Sequence, residues 1–369
     1  MKVPITEKKD YQQDLSKLLS KGFNKNNVFI ANTSGSSGHP FFYAKNKFSH
    51  AITWALIKQR YDLYSLNLNS KQARFYGQPL ENSSYYKESI KDLIMNRVRF
   101  PIFDMSDSIL TKFLKKFKKH SFQFIYGYTN SLVLFARFLI IKKIILKDVC
   151  PSIKLCITTS ETCTKEDKYL LYKGFGVKIV NEYGISEAGG ITAFEDFEGN
   201  WTLSSETQFI EFVDDNGQEV IEGEQGNILI TDLYNRAMPF IRYKVGDIAQ
   251  FRVDKDGNRY LNNLLGRTND NIILPNGKVS PGLTFYYISR SILESSGVLR
   301  EFIIRQTAID TFVFDIVSNR SLTKDEIGLI KSKMDIYLQP DLKLVINHLK
   351  NIIRPNSGKL KHFYSEIEN

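Results

Sequence analysis

The chain has only three cysteines, Cys150, Cys156 and Cys163, unevenly spaced and without a Cys-x-x-Cys pair. That excludes a disulfide framework and leaves no metal or redox knuckle. Histidine is also scarce, with five spread along the chain, so a zinc site lacks nearby partners. Reduced thiols in a cytoplasm are expected. Long apolar runs are missing as well. The most apolar stretch, 131–146, is interrupted by Arg137, Lys142 and Lys143, which makes it a buried or half-buried helix too short and too charged to span a bilayer. Met1-Lys2-Val3-Pro4 runs into charged residues without a signal-peptide pattern. No internal repeat and no low-complexity tract is visible. Acidic residues are the minority, 40 against 50 Lys and Arg, for a net charge of +10. Such a balance fits an anionic partner: nucleic acid, a membrane surface, or nucleotide and coenzyme phosphates. The basic residues are dispersed and no arginine-aromatic RNA motif occurs, which favours a small phosphorylated ligand over nucleic acid. The densest run, Lys115-Lys116-Phe117-Lys118-Lys119, reads as the solvated face of an amphipathic helix.

Hydrophobic residues make up 42% of the 369 positions and aromatics 13%, enough for a large core divided over two or more domains. The most distinctive stretch is Thr33-Ser34-Gly35-Ser36-Ser37-Gly38-His39-Pro40, which follows a short predicted strand at 28–31. Glycines let a backbone turn tightly against a ligand, and successive N–H groups flanked by hydroxyls solvate an anion. The stretch reads as a phosphate cradle. It is not a Walker A loop, because His39 and Pro40 follow Gly38 and the nearest lysine is Lys45. A Gly/Ser-rich surface linker has the same composition, and the stretch alone leaves both readings open.

Residues 1–27 read as helical and basic, and the cradle is expected to feed a strand and then a helix at 48–64. Further helices are predicted over 113–117, 131–145 and 165–174, with strands at 124–128, 153–158 and 177–180. Strands alternating with helices imply a parallel α/β sheet whose ligands collect at the carboxyl ends of the strands. Asn181-Glu182-Tyr183-Gly184-Ile185-Ser186-Glu187 falls at such an end. There an aromatic ring can stack on a purine, a hydroxyl can bond a phosphate and a carboxylate can hold Mg²⁺. Strands are predicted at 227–231 and 240–243, the second running into Lys244-Val245-Gly246-Asp247. An aspartate ending a strand after glycine can accept both hydrogen bonds of a ribose diol. Leu265-Gly266-Arg267-Thr268-Asn269-Asp270 then offers a guanidinium for phosphate or ribose, followed by polar residues suited to a hinge. Ser357-Gly358-Lys359 lies in a polar loop near the end.

Taken in order, these pieces resemble the adenylate-forming ligase superfamily, in particular the phenylacetate-CoA ligase-like proteins encoded with capsular polysaccharide genes. The matching segments are Thr33 to Pro40, Tyr183-Gly184-Ile185-Ser186-Glu187, Arg242-Tyr243-Lys244-Val245-Gly246-Asp247 with Gly266-Arg267, and Ser357-Gly358-Lys359. Phe124-Ile125-Tyr126-Gly127-Tyr128-Thr129-Asn130-Ser131-Leu132 and Thr159-Ser160-Glu161-Thr162 resemble that family's substrate-side segments. Two departures stand out: few residues precede the cradle, and Asn269 occupies the hinge position where aspartate is usual.

The resemblance implies an α/β fold with a large adenylation domain over 1–265, its sheets flanked by helices, and a small α+β lid domain over 266–369. The period of the predicted strands at 302–305, 312–317 and 342–346 around a helix at 324–338 agrees with the latter. It further implies ATP and Mg²⁺ as nucleotide and metal. Thr33, Ser34, Gly35, Ser36, Ser37, Gly38, Glu182, Tyr183, Gly184, Asp247 and Arg267 would bind the nucleotide, and Glu187 the metal. Lys359, Ser186 and Glu187 would be catalytic. Tyr126, Gly127, Tyr128, Ser160 and Glu161 would line the acid pocket, with Asn269 and Asp270 as hinge. The expected reaction forms an acyl-AMP from a carboxylic acid and then passes the acyl group to CoA, another thiol, an amine or a sugar, as a monomer or homodimer. A fold of this kind that has lost catalysis and serves polysaccharide assembly is the alternative.

Overall fold

The computed structural model describes residues 3–11, 13–33, 41–76, 82–102, 105–267, 271–277, 279–281, 285, 288, 299–353 and 363–367. For a few of these, Thr33 and Arg267 among them, only the backbone is described. The chain folds as two compact units, the first chiefly residues 3–245 with 249–264, the second 246–248 and 265–355 with the C-terminal strand.

In the first unit, the described residues of 3–27 carry only a 3₁₀ turn at Lys8–Tyr11 and one short helix, α1 (Leu15–Leu18), in place of the helical segment expected. Asn24 and Asn27 close turns with their side chains, Asn27 Oδ1 accepting from Asn24 N and Asn24 Oδ1 from Asn26 N, each at 2.9 Å, and so compete with helix. Strands β1 (Val28–Thr33) and β2 (Phe41–Asn46) pair antiparallel, and α2 (Lys47–Asp62) follows at once, Asn46 capping it through Ser49 N. The cradle residues 34–40 thus join two paired strands but lie outside the described residues.

The main sheet begins with β3 (Gln72–Tyr76), α3 (Asn82–Ile94), β4 (Arg97–Pro101), α4 (Asp107–Lys119), β5 (Phe124–Tyr128), α5 (Thr129–Ile141), α6 (Leu146–Val149), β6 (Leu155–Thr159), α7 (Lys165–Phe175) and β7 (Lys178–Ile185). It continues through β8 (Gly190–Glu195), β9 (Trp201–Leu203), β10 (Gln208–Val213), β11 (Gly226–Asp232), β12 (Tyr243–Val253) and β13 (Arg259–Arg267). Its eleven strands lie in the order β10-β11-β12-β13-β9-β8-β7-β6-β5-β3-β4. Strands β4, β3, β5, β6 and β7 run parallel, and the sheet turns antiparallel at β8. The parallel half is covered on both faces, as its near-continuous apolar strands require. Phe113 and Phe117 of α4, Phe135 of α5 and Phe175 of α7 pack one face against Phe75, Phe100 and Cys156. Leu56 and Tyr61 of α2 pack the other against Phe124, Tyr126, Ile157 and Val180.

Two strands differ from expectation. Residues 240–242 are irregular, and β12 starts only at Tyr243 and runs on through Asp247 to Val253, so Asp247 lies within a strand instead of ending one. The reason is local: Arg242 takes a left-handed φ of 43°, which breaks the extended run before Tyr243. Strand β7 is also longer than predicted, its last residues Tyr183 to Ile185 pairing with β8 across a register shift at Tyr183/Gly184.

The second unit contains β14 (Asn271–Ile273) paired with β15 (Val279–Pro281), and a sheet of β16 (Leu299–Ala308), β17 (Thr311–Ser318), β18 (Lys343–His348) and β19 (Phe363–Ser365) in the order β18-β17-β16-β19. Helix α8 (Lys324–Tyr337) starts at a Thr323–Glu326 capping box and buries Ile330 and Met334 on the cluster of Phe302, Phe312 and Phe314.

Candidate active site

The carboxyl ends of β3, β5, β6 and β7 bring together residues far apart in sequence. Tyr126 Oη donates to Glu182 Oε1 at 2.6 Å, and Thr159 Oγ1 donates to the same oxygen at 3.3 Å. Burial pushes the Glu182 carboxyl above the ordinary carboxylate range, opposed by these two hydroxyls and by the charge of Arg74. Tyr76 stacks on Tyr126 with centroids 5.7 Å apart and lies 4.2 Å from the ring of Tyr128. Of the expected acid-pocket residues, Tyr126 bonds Glu182 directly, while Tyr128 and Ser160 contact Tyr76 beside it. Their local roles differ. A Cβ on Gly127 would come within 2.5 Å of Phe75 Cβ, so this glycine is fixed by the approach of β3. Glu161 accepts from Asn130 N at 2.7 Å and thereby caps α5, whose N-cap Tyr128 provides no side-chain bond. Ser160 holds a φ of 69°, a strained conformation for a residue with a Cβ, and its side chain bonds Tyr76.

A second cluster surrounds the turn after β7. Tyr243 Oη donates to Glu187 Oε1 at 3.3 Å. Ser186 bonds Tyr43, whose hydroxyl is pushed up to about 12 by burial and by the Glu187 charge. Tyr183 is buried with Tyr43, Ala188 and Ala193. Lys45, on β2, is only 6% exposed. Its one described hydrogen bond, to Thr53 Oγ1, is 3.5 Å long. Desolvation pulls the ammonium below the usual lysine range, and Asp232 and Glu187 pull it back up. Asp232 in turn accepts from the backbones of Tyr234 and Asn235, at 3.0 and 3.1 Å.

Asp247 is buried in β12. Ser34, Gly35, Ser36, Ser37, Gly38, Asn269, Asp270 and Lys359 lie outside the described residues, as do the side chains of Thr33 and Arg267. Sequence reasoning missed Arg74 and Lys45. Each shows only as a charge inside a short apolar strand, a pattern that an exposed strand face also gives. A recess of about 360 Å³ lies elsewhere, bordered by Glu7, Asp10, Asp214 and Asp215 and by Lys9 and Lys244. Among the described residues no group of three potential metal ligands occurs, and no helix is long and apolar enough to cross a membrane. All three cysteines are free, and burial pushes the Cys163 thiol up to about 12, which keeps it protonated.

No family model matches the chain. It is 21% identical to protein CapK of Staphylococcus aureus over 338 residues, 88% of this chain and 71% of CapK. It is 31% identical to the phenylacetate-coenzyme A ligase of Thermus thermophilus over 140 residues, 35% of this chain and 31% of that enzyme. The fold matches 2-hydroxyisobutyryl-CoA ligase, solved in the postadenylation state with R3-HIB-AMP, at a TM-score of 0.74 and 14% identity, covering 99% of this chain and 80% of that one. The chain has the fold of an adenylate-forming ligase. Within that fold, the two clusters described above stand at the carboxyl edge of the parallel strands, where an α/β sheet receives its ligands.

Proposed function

We propose that the chain activates a carboxylic acid with ATP and then transfers the acyl group to an amine or thiol. In the first step an oxygen of the substrate carboxylate forms a bond to the α-phosphorus of ATP, and the α–β bridging bond breaks to release pyrophosphate. In the second the acceptor attacks the acyl carbon of the mixed anhydride and AMP departs. Both steps bring or create negative charge at the phosphates, so positioned cations and N–H donors lower the barrier. Mg²⁺ arriving with ATP supplies such neutralisation. One or two protein carboxylates suffice for an ion that also holds phosphates, and Glu187, oriented by Tyr243 beside the buried Lys45, fits that need. Residues 33–38 would cradle the phosphates, Glu182, Tyr183 and Gly184 border the nucleotide, and Asp247 and Arg267 hold its ribose.

The observation that carries this reading is the Glu187 cluster beside the tyrosine-lined Glu182 pocket, both at the carboxyl edge of the sheet. Lys359, in the proposed small domain of residues 266–369, would serve adenylation and be withdrawn by rotation at Asn269 and Asp270 before transfer, the large domain being 1–265. We place the acceptor on the amine or sugar side, in surface polysaccharide synthesis in the cytoplasm, on the resemblance to the capsule-type branch, and the match to CapK over 88% of this chain supports that branch. The phenylacetate-coenzyme A ligase match supports CoA as a second acceptor to test. A pyrophosphate-release assay over a panel of carboxylic acids, with and without CoA, tests both. Release that depends on acid but not on CoA is expected; robust acyl-CoA formation from a free aryl or fatty acid would reverse the acceptor assignment.

A further inference from the structure

The pocket around Glu182 contains a charge that its neighbours leave unmatched. Three arginines stand side by side on the outer parallel strands, Arg97 and Arg99 of β4 in register with Gln72 and Arg74 of β3. The two on β4 are closed by carboxylates from α3. Asp92 takes Arg97 and, at 2.8 Å, Arg99, while Glu88 takes Arg99 at 2.9 Å. Arg74 has no such closure. It donates to Gln72 Oε1 at 3.3 Å, and its guanidinium otherwise lies over the rings of Tyr76 and Tyr126, at 4.1 and 5.1 Å. Its Nε is inaccessible to solvent and lacks an acceptor among the described residues.

A guanidinium carries five donors and no acceptor, and a half-buried one without an ion-pair partner is well suited to receive an anion. The carboxylate nearest in charge is Glu182, which accepts hydrogen bonds from Tyr126 and Thr159 and forms no ion pair with Arg74. The guanidinium is thus left with donors to offer. Its charge extends over the whole pocket, lowering the phenols of Tyr61, Tyr76, Tyr126 and Tyr128 against the upward push of burial. Arg74 also lies two residues before the end of β3, about 6–7 Å deeper than Tyr76 along the strand. It can thus meet the far end of a ligand whose reacting end lies at the sheet edge, with tyrosine faces as walls for the stem between.

We propose that Arg74 makes this pocket selective for a carboxylic acid bearing a second anionic group, carboxylate or phosphate, remote from the carboxylate that is activated. The assignment of the activated end rests on the ligase reading; the anion selectivity is tested without it. Matched acids are titrated calorimetrically into the full chain: butanoate against succinate, and benzoate against terephthalate. A charge-assisted pair gives the dicarboxylate an advantage of about tenfold or more in Kd. Arg74→Met is expected to shrink it to within about threefold, and Arg74→Lys to keep part of it. Equal wild-type affinity for both members of each pair, or equal weakening of both by Arg74→Met, overturns the proposal. So does the absence of binding by either class. Should Arg74→Met fail to fold, the wild-type comparison and Arg74→Lys still decide. Pyrophosphate release is measured in parallel. Diacid binding through Arg74 without release would sink the ligase reading and leave this one standing, whereas release with mono- and diacids alike, indifferent to Arg74→Lys, would do the reverse.

Discussion

At the scale of single residues, the most informative side chains were those a sequence describes worst. Glu182 was legible as part of a motif, but its protonation depends on Tyr126, Thr159 and Arg74, none adjacent in sequence. Because burial raises its carboxyl in the folded state, the folded chain binds this proton more tightly than the unfolded chain does. Stability from this group is therefore fully present below the ordinary carboxylate range and declines as pH rises through the raised folded value. Glu182→Gln keeps an oxygen for Tyr126 and removes the titration, so the mutant's loss of Tm between acidic and neutral pH should be smaller than the wild type's; parallel curves would contradict the assignment. Gly127 was expected to line the pocket, yet its environment dictates a backbone role. Gly127→Ala forces a methyl group into Phe75 and should cost about 1–3 kcal/mol in denaturant unfolding. A neutral result would mean that β3 can shift aside. Arg74 and Lys45 stayed invisible for a physical reason: a lone cation in a strand looks the same whether it faces water or a buried pocket.

At the scale of elements, the parallel strands were the easiest to read, since strands buried on both faces are written as apolar runs: Phe124–Tyr128 and Leu155–Thr159 are buried throughout. The N-terminal segment misled because its asparagine and glycine turns compete with helix, and β12 because one left-handed residue, Arg242, moved the strand start past the predicted one. Helix α7 carries its signal openly, with Thr164 and Asp167 forming a reciprocal capping box that is buried. Thr164→Ala removes the bond to Asp167 N and should destabilise the first unit by about 1–2 kcal/mol. Helix α3 is held differently, its Asp92 lying between Arg97 and Arg99. Asp92→Ala leaves two largely buried guanidinium groups short of a partner and should cost about 3 kcal/mol or more. The loss should change little between low and high salt, as expected of a screened-off network and not of a surface pair.

At the scale of the whole molecule, the order of motifs along the chain carried the functional reading, because adenylate formation needs a phosphate cradle, a metal carboxylate, a ribose acceptor and a mobile cation at once. Glu187→Gln should reduce metal-dependent turnover more than nucleotide binding, and an equal loss of both would argue against the metal role. Lys359→Ala should slow acyl-adenylate formation by about a hundredfold or more, on the scale of one lost oxyanion donor. It should consume a supplied acyl-adenylate at a near-normal rate. Equal defects in both half-reactions would deny this lysine a step-specific role. The most direct measurement is pyrophosphate release from Mg-ATP by the full chain, with each carboxylic acid of a broad panel added in turn. Release that requires an acid, stops when Mg²⁺ is chelated and is accompanied by acyl-AMP is the expected result. Mg-ATP binding with no acid-dependent release from any member of the panel would contradict the assignment of this chain as a working ligase.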